Sequence, residues 1–271
     1  MKQSVIVSTY NQPVWLHKVL HGYLHQTFRD FELLIADDGS DHRTFEVIEA
    51  FRHLADFPIR HVWHEDQDFR KCTILNLATL EAAADYLVFT DGDCIPRKDF
   101  LATHDRLAEP GCFLSGGYCK LPMELSMAIT EDDIASGRAF SLQWLRQHGL
   151  TRLSPALKLG PGPKLAALLD RISPTKASWN GHNSSTWKRH ILAVNGHNEE
   201  MRYGGEDREL GERLMNAGLT AKRVRHRAIL LHLDHQRGYA TPEALGRNRA
   251  IRTATVAKRR VWCPDGILKR P

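Results

Sequence analysis

The residues with the means to do chemistry fall into two acidic turns and a pair of late histidines. Asp91-Gly92-Asp93 follows the run Tyr86-Leu87-Val88-Phe89-Thr90, and Cys94-Ile95-Pro96 closes the turn. That run, rich in β-branched and aromatic types, reads as a short buried strand. Two carboxylates at the end of such a strand are costly to place without positive charge nearby. A hard divalent cation that also holds the phosphates of a nucleotide meets the need, because Mg²⁺ and Mn²⁺ take oxygen ligands from a few carboxylates plus substrate. Standing alone, Asp-Gly-Asp reads first as a solvated turn, so the rest of the chain has to decide.

The second acidic turn is Tyr203-Gly204-Gly205-Glu206-Asp207. Its two glycines let backbone come close to a ligand, and Glu206 and Asp207 open a helix whose positive end favours carboxylates. The bland alternative is an acid pair that only caps that helix. Downstream, Ile229-Leu230-Leu231-His232-Leu233-Asp234-His235 reads as a strand carrying two histidines. Alternation puts His232 with Asp234 on one face and His235 on the other, so both reach one ion only if the strand bends or ends near Asp234. A third set, His17, His21 and His25, has helical i, i+4 spacing. With no acidic partner nearby in sequence, it reads as a wet helix face before a metal site.

These groups need a scaffold. Apolar strands are expected at Ser4 to Ser8, Phe31 to Ala36, Ile59 to Trp63 and into Asp91, with helices at about 14–26, 43–53 and 72–84. Strand and helix alternate, which is the signature of a parallel sheet with crossover helices. Ligands of such sheets sit beyond the carboxyl ends of the strands. Three strands end there in polar or acidic residues, Ser8-Thr9, Asp37-Asp38 and Asp91 to Asp93, which points to a nucleotide site. No GxGxxG follows the first strand and no P-loop occurs, so hydride transfer and ordinary NTP hydrolysis lose ground. Residues 112–178 are less legible. Gly116-Gly117-Tyr118 reads as a strand turn and Asp132 to Arg146 as an amphipathic helix. Leu150 to Lys176 mixes Gly160-Pro161-Gly162-Pro163 with Leu165, Leu168, Leu169 and Ile172 at helical spacing. A helix packed on the core is the default reading, with a lid or a membrane-touching helix as alternatives.

The 271 residues suffice for one large core, or a main domain with a smaller lobe. At 42% hydrophobic and 25% charged, the chain has the balance of a soluble globular protein. No stretch approaches a membrane span, and the chain opens on a strand rather than a signal peptide, so a cytoplasmic protein is expected. Cys72, Cys94, Cys112, Cys119 and Cys263 have no CxxC spacing and an odd count, which argues for reduced, mostly buried thiols. The net charge of +5 is concentrated late, with Arg223, Arg225, Arg227, Arg237, Arg247, Arg249, Arg252 and Lys258 to Arg260. Such a segment suits nucleic acid, an anionic membrane or an acidic substrate. The closing segment Pro242 to Val261 has Ala250, Ile251, Ala254, Ala257 and Val261 on one side. That pattern suits docking to an anionic membrane and equally a solvated helix end.

Taken in order, Val5-Ile6-Val7-Ser8-Thr9-Tyr10-Asn11, Gln26-Thr27-Phe28, Phe31-Glu32, Ala36-Asp37-Asp38-Gly39-Ser40 and Asp91-Gly92-Asp93 resemble the family-two inverting glycosyltransferases of GT-A fold. The resemblance covers most of the chain and is weakest from about 120 to 178. It implies an α/β fold, a Rossmann-like, mostly parallel sheet flanked by helices, with a smaller acceptor-side lobe. It divides the chain into a nucleotide-sugar half (1–111), an acceptor and catalytic half of the same domain (112–241) and a basic C-terminal helix (242–271). By that resemblance Ser8 and Asp38 hold the uracil of a UDP-sugar, with Thr9, Tyr10, Asn11 and Gly92 beside them. Asp91 contacts the ribose, Asp93 binds a Mn²⁺ or Mg²⁺ ion at the diphosphate, and Arg70 or Lys71 reaches the nucleotide. Asn180, His182 and Asn183 are donor-site candidates, and Ala193 to Glu199 matches a family turn with His197 where an aromatic is usual.

The Gly204-Gly205-Glu206-Asp207 block further resembles β-galactosyltransferases and chondroitin-type polymerases. An inverting transfer needs a base for the acceptor hydroxyl's proton. By the match Asp207 is that base, Glu206 binds the acceptor or donor sugar, and His235, or else His232, completes the metal site. The implied reaction moves a sugar of Gal, GalNAc, Glc or GlcNAc type from a UDP-sugar to a glycan or glycolipid hydroxyl with a β-linkage. Bacterial surface polysaccharide or lipopolysaccharide synthesis at the inner membrane face is the implied setting. A metal-dependent nucleotidyltransferase is a rival, though it has no use for the Gly-Gly-Glu-Asp block with its downstream histidine. A basic nucleic-acid-binding protein is another, and the chain shows no stacking platform or helix-turn-helix to support it.

Overall fold

The fold is taken from a computed structural model that describes residues 1–151, 155–235 and 241–269. The first apolar run forms β1 (Gln3–Thr9), buried along its whole length. Burial on both faces is the normal fate of a continuous apolar run in a parallel sheet. Parallel partners lie on either side, β2 (Phe31–Asp37) and β4 (Tyr86–Asp91), and β3 (Ile59–Trp63) adds to β2. The crossover helices Pro13–Leu24, His42–Leu54 and Lys71–Glu81 agree with the sequence reading to within a few residues. Their apolar faces, including Leu16, Leu20, Ile48, Phe51, Ile74 and Ala78, bury against the strands. Each fully buried Leu or Ile side chain contributes about 1.5–3 kcal/mol by area.

Four more strands complete one sheet, β5 (Cys94–Pro96), β6 (Cys112–Lys120), β7 (Ser184–Trp187) and β8 (Thr220–His232). The spatial order is β3-β2-β1-β4-β7-β6-β8-β5. β7 is antiparallel to both β4 and β6, whereas β8 is parallel to β6. Two reversals across β7 therefore return β6 and β8 to the direction of β4. The carboxyl end of β8, with His232, emerges at the same sheet edge as Asp91.

Several expectations change in the second half. Gly116-Gly117-Tyr118 is not a turn; it lies inside β6, where the register with β8 slips between Gly116 and Gly117 and Arg225 to Ala228 bulge out. A Cβ at Gly117 would collide with the Arg225 carbonyl oxygen, so the bulge depends on that missing side chain. The helix expected over Asp132 to Arg146 is three pieces: Glu131–Ser136, a 3₁₀ turn at Arg138–Phe140, and Leu142–Gln147. Gly137, at φ +83°, ends the first, and the Ser141 hydroxyl caps the last by accepting from the Trp144 N–H.

The helix Pro163–Ile172 forms, but its leucine stripe does not face the core. Leu165, Leu168 and Ile172 are exposed, and Ala166 and Asp170 are buried instead. The cause is electrostatic, because Asp170 is drawn inward by Arg227 Nε at 2.6 Å and His226 Nδ1 at 3.0 Å. On the first helix, His17 and His21 do have an acidic partner. Glu131, remote in sequence, brings its carboxylate within 2.7 and 3.4 Å of their Nε2 atoms, while His25 stands apart and exposed.

The C-terminal helix Pro242–Ala257 packs on the helix Glu206–Asn216. Thr255 donates to Glu209 Oε1 at 3.0 Å, Arg252 pairs with Glu212, and Arg247 pairs with Glu200 at 3.0 Å. Arg237 lies outside the described residues. All five cysteines are free thiols, with Cys112 the most accessible. Among the described residues, no helix is long and apolar enough to cross a membrane.

Candidate active site

One cavity of about 560 Å³ opens at the carboxyl edge of the sheet. β1 delivers Ser8 and Thr9 to its floor, and the turn after it delivers Tyr10, Asn11 and Gln12. The turn is held in shape by Asn11, at φ +47°, whose amide N–H donates to Ser40 Oγ and whose Oδ1 accepts from the Asp41 N–H. The first acidic turn follows β4. The Gly92 N–H donates to the Ser8 carbonyl at 2.7 Å, and a Cβ there would lie 3.0 Å from Thr9 Oγ1. A side chain at Gly92 would therefore press on the floor of the cavity.

Asp91 is neutralised by the protein itself. Its Oδ1 accepts from Lys71 Nζ at 2.8 Å and from the Ser8 hydroxyl at 2.6 Å. Burial works against its charge, but Lys71, His182 and these hydrogen bonds win and hold the carboxyl well below its usual range. Burial likewise opposes the charge on Lys71, and the surrounding Asp91, Asp207 and Glu206 raise it well above its ordinary value. Lys71 is thus a firm cation at the centre of three carboxylates.

Asp93 faces a different set. Its Oδ2 lies 2.9 Å from His235 Nε2 and 3.7 Å from His232 Nε2, and the two rings are nearly parallel, 13° apart. Leaving the sheet right after His232 turns His235 to the same side, which straight alternation would forbid. The backbone N–H of Leu233 donates to the Asp93 carbonyl at 2.9 Å and locks the two segments together. Burial of Asp93 is overcome by His235 and His232, which lower its pKa. A carboxylate with two imidazoles is a donor set that suits a divalent transition ion. Cys94 Sγ, near the same atoms, donates to Asp93 Oδ1, and burial raises its pKa so far that it stays a thiol.

The second acidic turn closes the opposite wall. Gly204 (φ +110°) and Gly205 (φ +93°) both have left-handed backbone that favours glycine, and the Gly204 N–H donates to Glu206 Oε2 at 2.7 Å. Glu206 is pushed up to about 7 by burial first and by Asp207 second. Asp207 is also raised by burial, with Lys71 pulling the other way. Its Oδ1 is buried and has no protein partner, as has Thr9 Oγ1. Both are polar atoms at the cavity left for a ligand to satisfy.

Behind this wall Glu209 and Arg213 form a buried pair. Arg213 also donates to the carbonyls of Val194 at 2.6 Å and Gly196 at 2.7 Å, tying the helix to that loop. Next in sequence, His197 is fully buried with no partner for either ring nitrogen, and packs 5.8 Å from Phe89. Burial lowers it to about 3, so it serves there as a neutral aromatic.

Most of the sequence candidates line this cavity: Ser8, Thr9, Tyr10, Asn11, Asp38, Lys71, Asp91, Gly92, Asp93, His182, Glu206, Asp207, His232 and His235. Three do not. Arg70 turns its guanidinium to the Glu65 carbonyl and offers only its backbone N–H to Asp38 Oδ2. Asn180 sits behind the wall, its N–H donating to Ser184 Oγ. Asn183 is a core bracket, donating to the carbonyls of Gly117 and Ala228 and bonded to His104. Other residues were missed. His64 Nε2 meets Asp38 Oδ1 at 2.8 Å, and Gln12, Asp68, Phe69 and Tyr203 line the cavity. His64 follows the end of β3, so the rule that singled out the other strand ends would have found it.

Comparison with known proteins accords with this geometry. The profile described as glycosyl transferase family 2 matches residues 4–109, and that described as the N-terminal domain of galactosyltransferase matches residues 172–236. An uncharacterised glycosyltransferase of Bacillus subtilis, YfnE, is 28% identical over 87% of this chain and 65% of its own length. A chondroitin synthase of Escherichia coli is 26% identical over 82% of this chain and 33% of its own. The chain thus spans less than two thirds of either relative. Among solved structures, residues 1–349 of S. aureus TarS in complex with UDP-GlcNAc superpose with a TM-score of 0.60 at 16% identity, over 96% of this chain and 69% of that one. The chain thus has the GT-A glycosyltransferase fold, with the family 2 match carried by residues 4–109 and the galactosyltransferase match by residues 172–236.

Proposed function

We propose that the protein is an inverting, metal-dependent glycosyltransferase that moves a hexose or N-acetylhexosamine from a UDP-sugar to a glycan or glycolipid hydroxyl. The observation that carries the reading is the meeting of two acidic turns across one cavity, with Lys71 between them and two histidines on Asp93. Residues 1–111 hold the nucleotide in this reading, 112–241 the acceptor, and 242–271 buttress the catalytic helix. Ser8, Thr9, Asp38 and the Tyr10 turn shape the nucleotide end.

A divalent cation held by Asp93, His235 and His232 would supply positive charge for the leaving diphosphate. Lys71 holds Asp91 ionised and adds a fixed positive charge on the same side. Asp207 accepts the acceptor hydroxyl's proton as its oxygen bonds to the anomeric carbon. The bond from that carbon to the diphosphate breaks with inversion, and UDP leaves. Glu206, raised to about 7 and so close to half protonated at neutrality, orients a sugar hydroxyl. Nucleotidyl transfer is disfavoured because it leaves the Gly204 to Asp207 turn without a task. The name of the Escherichia coli relative and the glycan chemistry suit surface polysaccharide synthesis at the cytoplasmic face of the membrane.

The test is calorimetric titration of UDP with and without Mn²⁺, on the wild type and on Asp93→Ala. Metal-dependent binding lost in the variant supports the donor site, and a panel of UDP-sugars then identifies the sugar. Absence of UDP binding under every condition overturns the reading.

A further inference from the structure

The helix Pro163–Ile172 presents an apolar stripe that nothing in the described structure covers. Leu165 is 50% exposed, Leu168 49% and Ile172 65%, and Leu157 on the short helix Ala156–Leu159 before it is 60% exposed. Positions 165, 168 and 172 share one helix face, and Lys164 and Arg171, seven apart, run along its border. The opposite face is anchored. Asp170 is buried against Arg227 and His226, and Arg223 donates to the carbonyls of Asp170, Arg171 and Thr175 at the helix end. The stripe is therefore held outward by a built ion-pair anchor.

Charge says what the stripe meets. Asp170 is the one acidic residue between positions 135 and 198, and its carboxylate is consumed inside the fold. What remains beside the stripe is cationic. An open cleft of about 580 Å³ on this flank is lined by Arg171, Lys176 and Arg223, together with Lys222, which pairs with Glu109, and Arg227, which pairs with Asp170. We infer that this face docks on an anionic phospholipid bilayer, with the leucines and Ile172 in the acyl boundary and the bordering cations among the headgroups. Ten residues of helix reach about 15 Å, so the element lies along the surface rather than crossing it. A second copy is a poorer occupant. A two-fold contact would bring the Lys164 and Arg171 charges of both copies together with no acid on the face to offset them.

Docking here would place the site close to the bilayer. Lys158 sits 5.0 Å from the Tyr118 ring, and Tyr118 packs on His182 and His232 of the cavity wall. The inference does not depend on the donor assigned above.

The experiment is co-sedimentation of the purified chain with vesicles of phosphatidylcholine alone and of phosphatidylcholine containing one phosphatidylglycerol in three. The expected result is binding to the anionic vesicles only. It should be lost in Leu165→Asn/Leu168→Asn/Ile172→Asn and weakened about fivefold for each of Lys164→Gln and Arg171→Gln. Circular dichroism and UDP titration on the same variants check the fold and the donor site separately. The inference is overturned by no vesicle binding in the wild type, by equal binding to neutral vesicles, or by equal binding of the triple variant. It is also overturned if the wild type forms a dimer that the triple variant abolishes.

Discussion

The position that a Cβ would take on Gly181 lies 2.6 Å from Oδ1 of Asp207. No side chain fits there without moving that carboxylate, and the Gly181 backbone N–H works to lower its pKa. Gly181→Ala should therefore displace the proposed base while sparing the nucleotide end. Misplacing a reacting group by about 1 Å can cost about a hundredfold in rate. Steady-state kinetics should show kcat down at least about tenfold with UDP affinity within about twofold of wild type. An unchanged kcat would remove Asp207 from the base role.

Glu206 makes stability depend on pH. Its carboxyl is raised to about 7 in the fold, against about 4.3 in an unfolded chain. Between those values the unfolded chain has released a proton that the folded chain keeps, so stability is greatest at low pH within this window and declines as pH rises to about 7. Thermal unfolding without ligand should show that decline, and Glu206→Gln should flatten it. At about pH 8 the Gln variant should be the more stable protein, by up to about 3 kcal/mol.

Lys71 and Asp91 stand or fall together. Removing the cation leaves a buried carboxylate without its partner, which costs about 3–5 kcal/mol. Lys71→Met should lower the midpoint of denaturant unfolding sharply, and Lys71→Met/Asp91→Asn should recover most of the loss. Neither variant should bind UDP with wild-type affinity. Should the double variant be no more stable than the single one, the pair does not carry the charge balance described here.

His197 works as an aromatic ring rather than as a base or ligand. Its value is pulled to about 3 by burial, far below the unfolded 6.5. Stability from this group is present above about pH 6.5 and is lost as pH falls towards 3. His197→Phe keeps the packing on Phe89 and removes two unsatisfied nitrogens, so it should match or exceed wild-type stability. The gap in its favour should widen as the medium is acidified. A variant that unfolds more readily at every pH would mean that the nitrogens have partners in solution.

The first four strands were legible to within one or two residues because buried parallel strands are written as unbroken apolar runs between polar turns. Asp91, Asp93, Glu206 and Asp207 were legible because acids beside glycines at element ends are chemically conspicuous. The middle of the chain was not. Gly116 and Gly117 look like a turn locally, yet what fixes them is a bulge in a strand more than a hundred residues later. The outward face of Pro163–Ile172 depends on Arg227 and His226 capturing Asp170, a tertiary pairing that helical periodicity cannot show. Arg70 and Lys71, adjacent in sequence, could be told apart only once the helix start had set their directions.

β5 has a single hydrogen-bonded neighbour in the sheet, and that neighbour is β8. The turn carrying Asp93 leads directly into β5, which packs on the first helix but gains its strand pairing only after β8 has been made and inserted. During synthesis residues 1–111 emerge long before the histidines that face Asp93 and before the helix bearing Asp207. Pairing over such a span makes late assembly slow relative to local structure. A growing chain therefore brings Asp93 together with His232 and His235 only in a late closing event.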